Sequence, residues 1–180
     1  MILNGKLVKL RAVEREDMRF LYEMINDSDI SSMTIGSCFP VSMEAQNRWY
    51  GSFLDQQKDL RYIIESVDGY SIGMIILSKI DWKSRIAEIG IKSISNIKVR
   101  KKGDVLEAVK LVLLYAFQEM NLNMIVGNIL ENNVFSRKLA IDSGFLEEAV
   151  LRQRVYKQGK YHNTVIYSIT KEEFEKNEKI

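Results

Sequence analysis

The segment IAEIGIKSISNIKVRKKGDVLEAVKLVLLYAFQEM, residues 86–120, decides the fold. It opens as a strand: IAEIGIK contains no proline and repeats isoleucine from Ile86 to Ile91, as a buried strand does. It closes as a helix, because Val105, Ala108, Val109, Val112, Ala116, Phe117 and Met120 recur at i, i+3 and i+4 spacing. Lys98, Arg100, Lys101, Lys102 and Gly103 fill the turn between the two. A helix N-terminus presents unpaired N–H groups and a partial positive charge, so a basic, glycine-bearing turn leading into it suits a phosphate. A solvated basic connection with no ligand accounts for the same residues.

Outward from this segment, NMIVGNI (123–129) reads as a strand, and a strand–helix–strand crossover sets its two strands parallel. Upstream, LRYIIES (60–66), Ser71 to Asp81 and Ile86 to Lys92 form an antiparallel meander, its first turn marked by Asp68-Gly69. Before it stand a short strand (Leu7 to Leu10) and a helix with acids Glu14, Glu16 and Asp17 at its start and a stripe of Phe20, Leu21, Met24 and Ile25. NDSDISSMTIGSCFP (26–40) is a loop with room for one helical turn, and Ser42 can cap a second helix with Ala45, Trp49 and Phe53 on one face. Downstream, Asn133 caps a helix that Gly144 stops, and Lys157-Gln158-Gly159-Lys160 turns a long hairpin. TKEEFEKNEKI is a short capped helix or a fraying tail.

The 180 residues suit one domain, 1–180, with one substantial core. A net charge of +2 is too small to point to nucleic acid, where binding rests on many phosphate contacts. No apolar run approaches the roughly 20 residues of a membrane span. MILNGKLVKL enters a strand without the apolar core of a signal peptide, so the expected location is the cytoplasm. One cysteine, Cys38, and one histidine, His162, preclude an internal disulfide or a Cys/His zinc site.

Two motifs on this frame resemble the GNAT superfamily of acyl-CoA-dependent N-acetyltransferases, nearest the branch of ribosomal-protein N-terminal, spermidine and amino-sugar acetyltransferases. That family's pyrophosphate loop reads Q/R-x-x-G-x-G/A. Here it stands as Arg100-Lys101-Lys102-Gly103-Asp104-Val105, matching at Arg100 and Gly103 and departing at Val105, whose branched side chain crowds the approach that a small residue leaves open. Asp104 adds a negative charge, which Arg100, Lys101 and Lys102 outweigh. The second motif, N-x-x-S before a helix ending in G-F, stands as Asn133-Val134-Phe135-Ser136 and Gly144-Phe145. The resemblance implies an α+β fold: a central mixed, mostly antiparallel sheet with helices on both faces. It implies acetyl-CoA as co-substrate and no metal, with contacts at Ile91, Lys98, Val99, Arg100, Lys101, Lys102, Gly103, Asp104, Val105, Asn133, Phe135 and Ser136. It also admits a homodimer.

The implied reaction requires an amine to lose a proton and attack a thioester, and a thiolate to be reprotonated. Many family members carry a tyrosine four residues after the serine for the last step; this chain has Ala140 there, leaving Ser136 or water. Glu88 is the candidate base, acting through water, or else a strand carboxylate paired with a basic neighbour. His162 reads as a surface or hydrogen-bonding histidine, and Cys38 has no evident base beside it, so direct transfer without an acyl-enzyme is expected. Phe39, Trp49 and Tyr161 are the expected acceptor-side residues, with core packing the alternative for Phe39 and Trp49. The acceptor side has no evident acidic trough, so a small-molecule amine such as an amino sugar is expected, rather than a polyamine. The alternatives are a protein N-terminal or polyamine acetyltransferase, or a non-catalytic acyl-CoA-binding module favoured by Ala140, Val105 and Asp104.

Overall fold

The computed structural model describes residues 1–36, 39–54, 58–94 and 101–177, with only the backbone described at 53 and 54. Its strands are β1 (Leu3–Asn4), β2 (Val8–Arg11), β3 (Leu60–Ser66), β4 (Ser71–Asp81), β5 (Ile86–Ser93), β6 (Met124–Leu130), β7 (Leu146–Lys157) and β8 (Lys160–Thr170). They form an eight-stranded sheet in the order β1-β2-β3-β4-β5-β6-β8-β7. The β5–β6 pair is parallel, as the crossover between them requires, and each other neighbouring pair is antiparallel. The helices are α1 (Met18–Asn26), α2 (Ser28–Met33), α3 (Met43–Leu54), α4 (Asp104–Gln118), α5 (Val134–Asp142) and α6 (Lys171–Asn177). The mixed, mostly antiparallel sheet with helices on both faces is therefore the observed architecture.

Alternation along the strands divides the apolar residues between two cores. On one face Ile75, Leu77, Ala87 and Ile125 pack with Ala108, Val109, Val112, Leu113, Ala116 and Phe117 of α4. On the other, Ile63 packs with Met18, Leu21 and Met24 of α1 and Tyr50 of α3, and Met74 packs against that group. Local signals hold at the chain's turns: Gln158 and Gly159 take φ of 50° and 78°, the left-handed pair that a tight hairpin needs. In the tail, Lys171–Asn177 form a capped helix. Thr170 Oγ1 accepts from Glu173 N–H at 3.3 Å, Glu173 Oε2 accepts from Thr170 N–H at 2.8 Å, and Phe174 packs on Phe117.

Three details differ from the sequence reading. Residues Ser28–Met33 form a helix, nucleated by Asp27, whose side chain accepts from the N–H groups of Asp29 and Ile30. In α3 the buried residues are Gln46 and Tyr50, a face turned from the expected Ala45 and Trp49; the Phe53 side chain lies outside the described residues. In α1, Met18 is buried while Phe20 and Ile25 are only partly so.

One departure from regularity positions the site. The β5–β6 register runs from Ile86–Met124 to Ile89–Gly127 and stops, although β5 continues to Ser93 and β6 to Leu130. Meanwhile β4 still pairs with β5 out to Ser93, and β8 with β6 out to Leu130. The two halves of the sheet thus part company after Ile89, opening a wedge in its middle.

Candidate active site

The wedge holds a cavity of about 300 Å³ that passes from one face of the sheet to the other. Gly90, Ile91 and Lys92 form its β5 edge and Gly127, Asn128, Ile129 and Leu130 its β6 edge. On the α4–α5 face it is walled by Val109, Ser136, Leu139, Ala140, Phe145 and Tyr167. On the opposite face the walls are Met74, Ile76, Lys92 and the end of α2 with its following turn, Met33 to Ile35.

Two hydrogen bonds tie α2 over the cavity. Asn133, which caps α5 by accepting from Ser136 N–H at 3.0 Å, donates its Nδ2 to the Met33 carbonyl at 2.7 Å. Lys157 donates its Nζ to the Ser31 carbonyl at 2.7 Å. Both satisfy carbonyls in the last turn of α2, where helix groups otherwise lack partners and a cation is favoured.

Several expected residues fall within this cavity. Ile91 and Ser136 line it, Asn133 lines it while capping α5, and Ala140 sits one turn beyond Ser136 in its wall. Phe135 does not line it and is 55% exposed. Lys98, Val99, Arg100 and Cys38 lie outside the described residues.

The turn into α4 is described from Lys101. Gly103 adopts a left-handed φ of 95° as the N-cap, a conformation that other residues enter only at a cost. Asp104 is buried; its carboxylate accepts from Lys101 N–H at 2.9 Å and Val105 N–H at 2.6 Å, so its charge is held by the helix start. Val105 is 2% exposed, which puts its side chain in the interior instead of over the loop, contrary to the crowding expected of it. Lys101, ion-paired with Asp68 at 2.7 Å, and Lys102 are exposed beside this N-terminus. A left-handed glycine, a helix N-terminus and surface lysines suit the pyrophosphate of an acyl-CoA, with the wedge leading on from Ile91.

Other expected residues are not brought to the cavity. Glu88 lies in the paired part of β5, opposite Val126, and its carboxylate accepts from Lys79 Nζ at 3.0 Å in an exposed ion pair. That is the paired-carboxylate alternative raised for it above. Trp49 packs against the second core, with the Arg61 guanidinium 5.6 Å from its ring centroid. Phe39 is 79% exposed, and Tyr161 makes an edge-on pair with Tyr156 at the tip of the β7–β8 hairpin. His162 Nε2 meets the Lys157 carbonyl at 3.2 Å. None of these residues lines the cavity.

Two ionisable groups in the wall were not singled out by the sequence. Tyr167 is fully buried; its hydroxyl donates to Glu147 at 2.8 Å and accepts from Arg137 Nε at 3.0 Å. Burial raises its pKa, Arg137 lowers it, and Glu147 adds to the rise. Lys92, half-buried, has its pKa lowered by burial and then by the charge on Lys157. Its signal was a lysine near the end of a largely apolar strand, IAEIGIKS, whose other charge is Glu88. No group of three potential metal ligands and no helix able to cross a membrane occurs among the described residues.

Comparison with known proteins agrees with this geometry. The acetyltransferase (GNAT) domain family matches residues 8–146. YdaF of Bacillus subtilis, provisionally named a ribosomal N-acetyltransferase, is 36% identical over 108 residues, 60% of this chain and 58% of its own length. Spermidine N(1)-acetyltransferase of Escherichia coli is 27% identical over 158 residues, covering 88% of this chain and 83% of that one. A crystal structure of spermidine N-acetyltransferase from Vibrio cholerae in complex with CoA and spermine superposes with a TM-score of 0.86 at 25% identity, over 94% of this chain and 99% of that one. The relatives named here are ribosomal and spermidine enzymes, not amino-sugar enzymes. The family match spans residues 8–146, most of the chain: the chain belongs to the GNAT acetyltransferase family and is an acetyl-CoA-dependent N-acetyltransferase.

Proposed function

We propose that the chain acetylates a primary amine of a small molecule, with donor and acceptor meeting in the wedge from opposite faces of the sheet. The observation that carries this is the cavity's passage through the sheet: Val109 of α4 and Ser136, Leu139 and Ala140 of α5 wall one side, and Met33 to Ile35, Met74 and Lys92 wall the other. Acetyl-CoA supplies the activated acyl group. The protein's part is then to hold donor and amine in line and exclude water.

Deprotonation of the acceptor needs no side-chain base. No carboxylate lines the cavity among the described residues, and Glu88 is occupied by Lys79. We assign the acceptance of the amine's proton to water that enters with it. Ser136 lies in the first turn of α5 and on the cavity wall, which supports giving it the return of a proton to the departing thiolate. The spermidine and ribosomal names of the relatives make polyamines and peptide N-termini the first acceptors to compare with other small amines.

The test is a thiol-release assay with acetyl-CoA and a panel of polyamines, amino acids, amino sugars and N-terminal peptides. Turnover of one or more small amines, without acetylated enzyme in the mass spectrum, is the expected result. Peptide turnover far above every small amine, or an acetylated enzyme that amine discharges, would overturn the reading.

A further inference from the structure

We infer that the acceptor carries an anionic group, a carboxylate or a phosphate, and that Lys92 holds it at the mouth of the wedge beside the end of α2. The inference rests on the acetyl-transfer reading above and names the class of acceptor. Lys92 is on β5 opposite Met74, on the face that α1 and α3 cover, and it lines the cavity beyond the last β5–β6 pair. No Asp or Glu lines that cavity, and Lys92 has no salt-bridge partner among the described residues. Among the described residues the only other titratable side chain in the wall is Tyr167, whose hydroxyl is spent on Glu147 and Arg137.

A second cation stands nearby. Lys157, at the end of β7, reaches across to the Ser31 carbonyl at 2.7 Å, and its charge is felt at Lys92. Burial also works against the Lys92 ammonium. A half-buried cation without a counter-charge costs free energy that an anionic ligand offsets, by taking the place a carboxylate side chain would otherwise fill. A polyamine would do the reverse. It would bring further positive charges toward Lys92 and Lys157, with no carboxylate among the described residues of the wall to receive them.

Carboxylate and phosphate share this chemistry, so the experiment uses matched pairs: glycine with glycinamide, and glucosamine 6-phosphate with glucosamine, each beside spermidine. Acetyl-CoA binding is first measured by calorimetry, because its absence would bring down the acetyl-transfer reading as well. The expected result is a kcat/KM for one anionic member about ten- to a hundredfold above its neutral partner, the worth of one hydrogen bond to a charged group. The pair that shows the advantage identifies the anion. Lys92→Gln should raise KM for that member and leave the neutral one nearly unchanged, and Lys92→Arg should restore part of the preference. If acetyl-CoA binds but neither anionic amine has an advantage, or spermidine exceeds both, the inference falls. It also falls if Lys92→Gln lowers kcat for all acceptors alike, since Lys92 would then handle protons and not recognise charge.

Discussion

Two glycines show how single residues set the site, by different physics. Gly103 is needed for its dihedral: at φ of 95° any side chain is strained, by about 1–2 kcal/mol. Gly103→Leu should therefore lose some stability and, by covering the amides at the start of α4, weaken acetyl-CoA binding by tenfold or more in calorimetry. An unchanged affinity in a folded variant would detach this turn from donor binding. Gly73 is needed for space. A Cβ there would lie 2.5 Å from the Lys92 carbonyl oxygen, backbone that cannot step aside. Gly73→Ala should cost about 1–3 kcal/mol in urea unfolding, typical of forced overpacking. Because the strained atom belongs to Lys92, acceptor KM should change while acetyl-CoA affinity holds.

At the level of elements, the join between α4 and the strand β2 depends on one carboxylate. Glu107 accepts backbone N–H bonds from Lys6 at 2.9 Å, Leu7 at 2.7 Å and Val8 at 2.9 Å. Burial works to raise its pKa, but these three donors and Lys6 prevail and lower it. A carboxyl with a lowered folded pKa stabilises above its unfolded value and ceases to as pH falls through the folded one. Glu107→Gln should cost about 1–3 kcal/mol at pH 7. The gap to wild type should narrow as pH drops below the ordinary glutamate value of about 4.3, as followed by chemical denaturation. A gap that is constant with pH would mean that shape, and not charge, makes the join.

The legibility of the sequence divides along the same line. Asn133, Gly144 and Gly159 announced their cap, stop and turn because each signal is a dihedral or a local hydrogen bond. Glu88 and Lys92 were not separable that way. They share one face of β5, and what distinguishes them is that β6 leaves after Ile89, so Glu88 has a strand on either side and Lys92 has only β4. The face of α3 was likewise set by Met18 and Ile63, distant in sequence, and not by its own pattern.

For the molecule as a whole, the sheet is two antiparallel units joined in the middle by four parallel residue pairs, Ile86–Met124 through Ile89–Gly127. Past that seam the inner edges of β5 and β6 have no strand partner among the described residues. Edge groups that lack a strand must find another partner or water. A ligand in the wedge is therefore also a structural member, and binding to the native state adds about 2.7 kcal/mol at a concentration of 100 times its Kd. The readout is amide hydrogen exchange. Saturating acetyl-CoA should slow exchange at the wedge-facing amides of residues 90–93 and 128–130, every second one along each strand, far more than in β3 or β8, which have a strand on either side. Equal slowing everywhere would mean that the ligand braces the whole fold. A change confined to the seam would make the enzyme's most exchange-labile β-structure the part that its own donor closes.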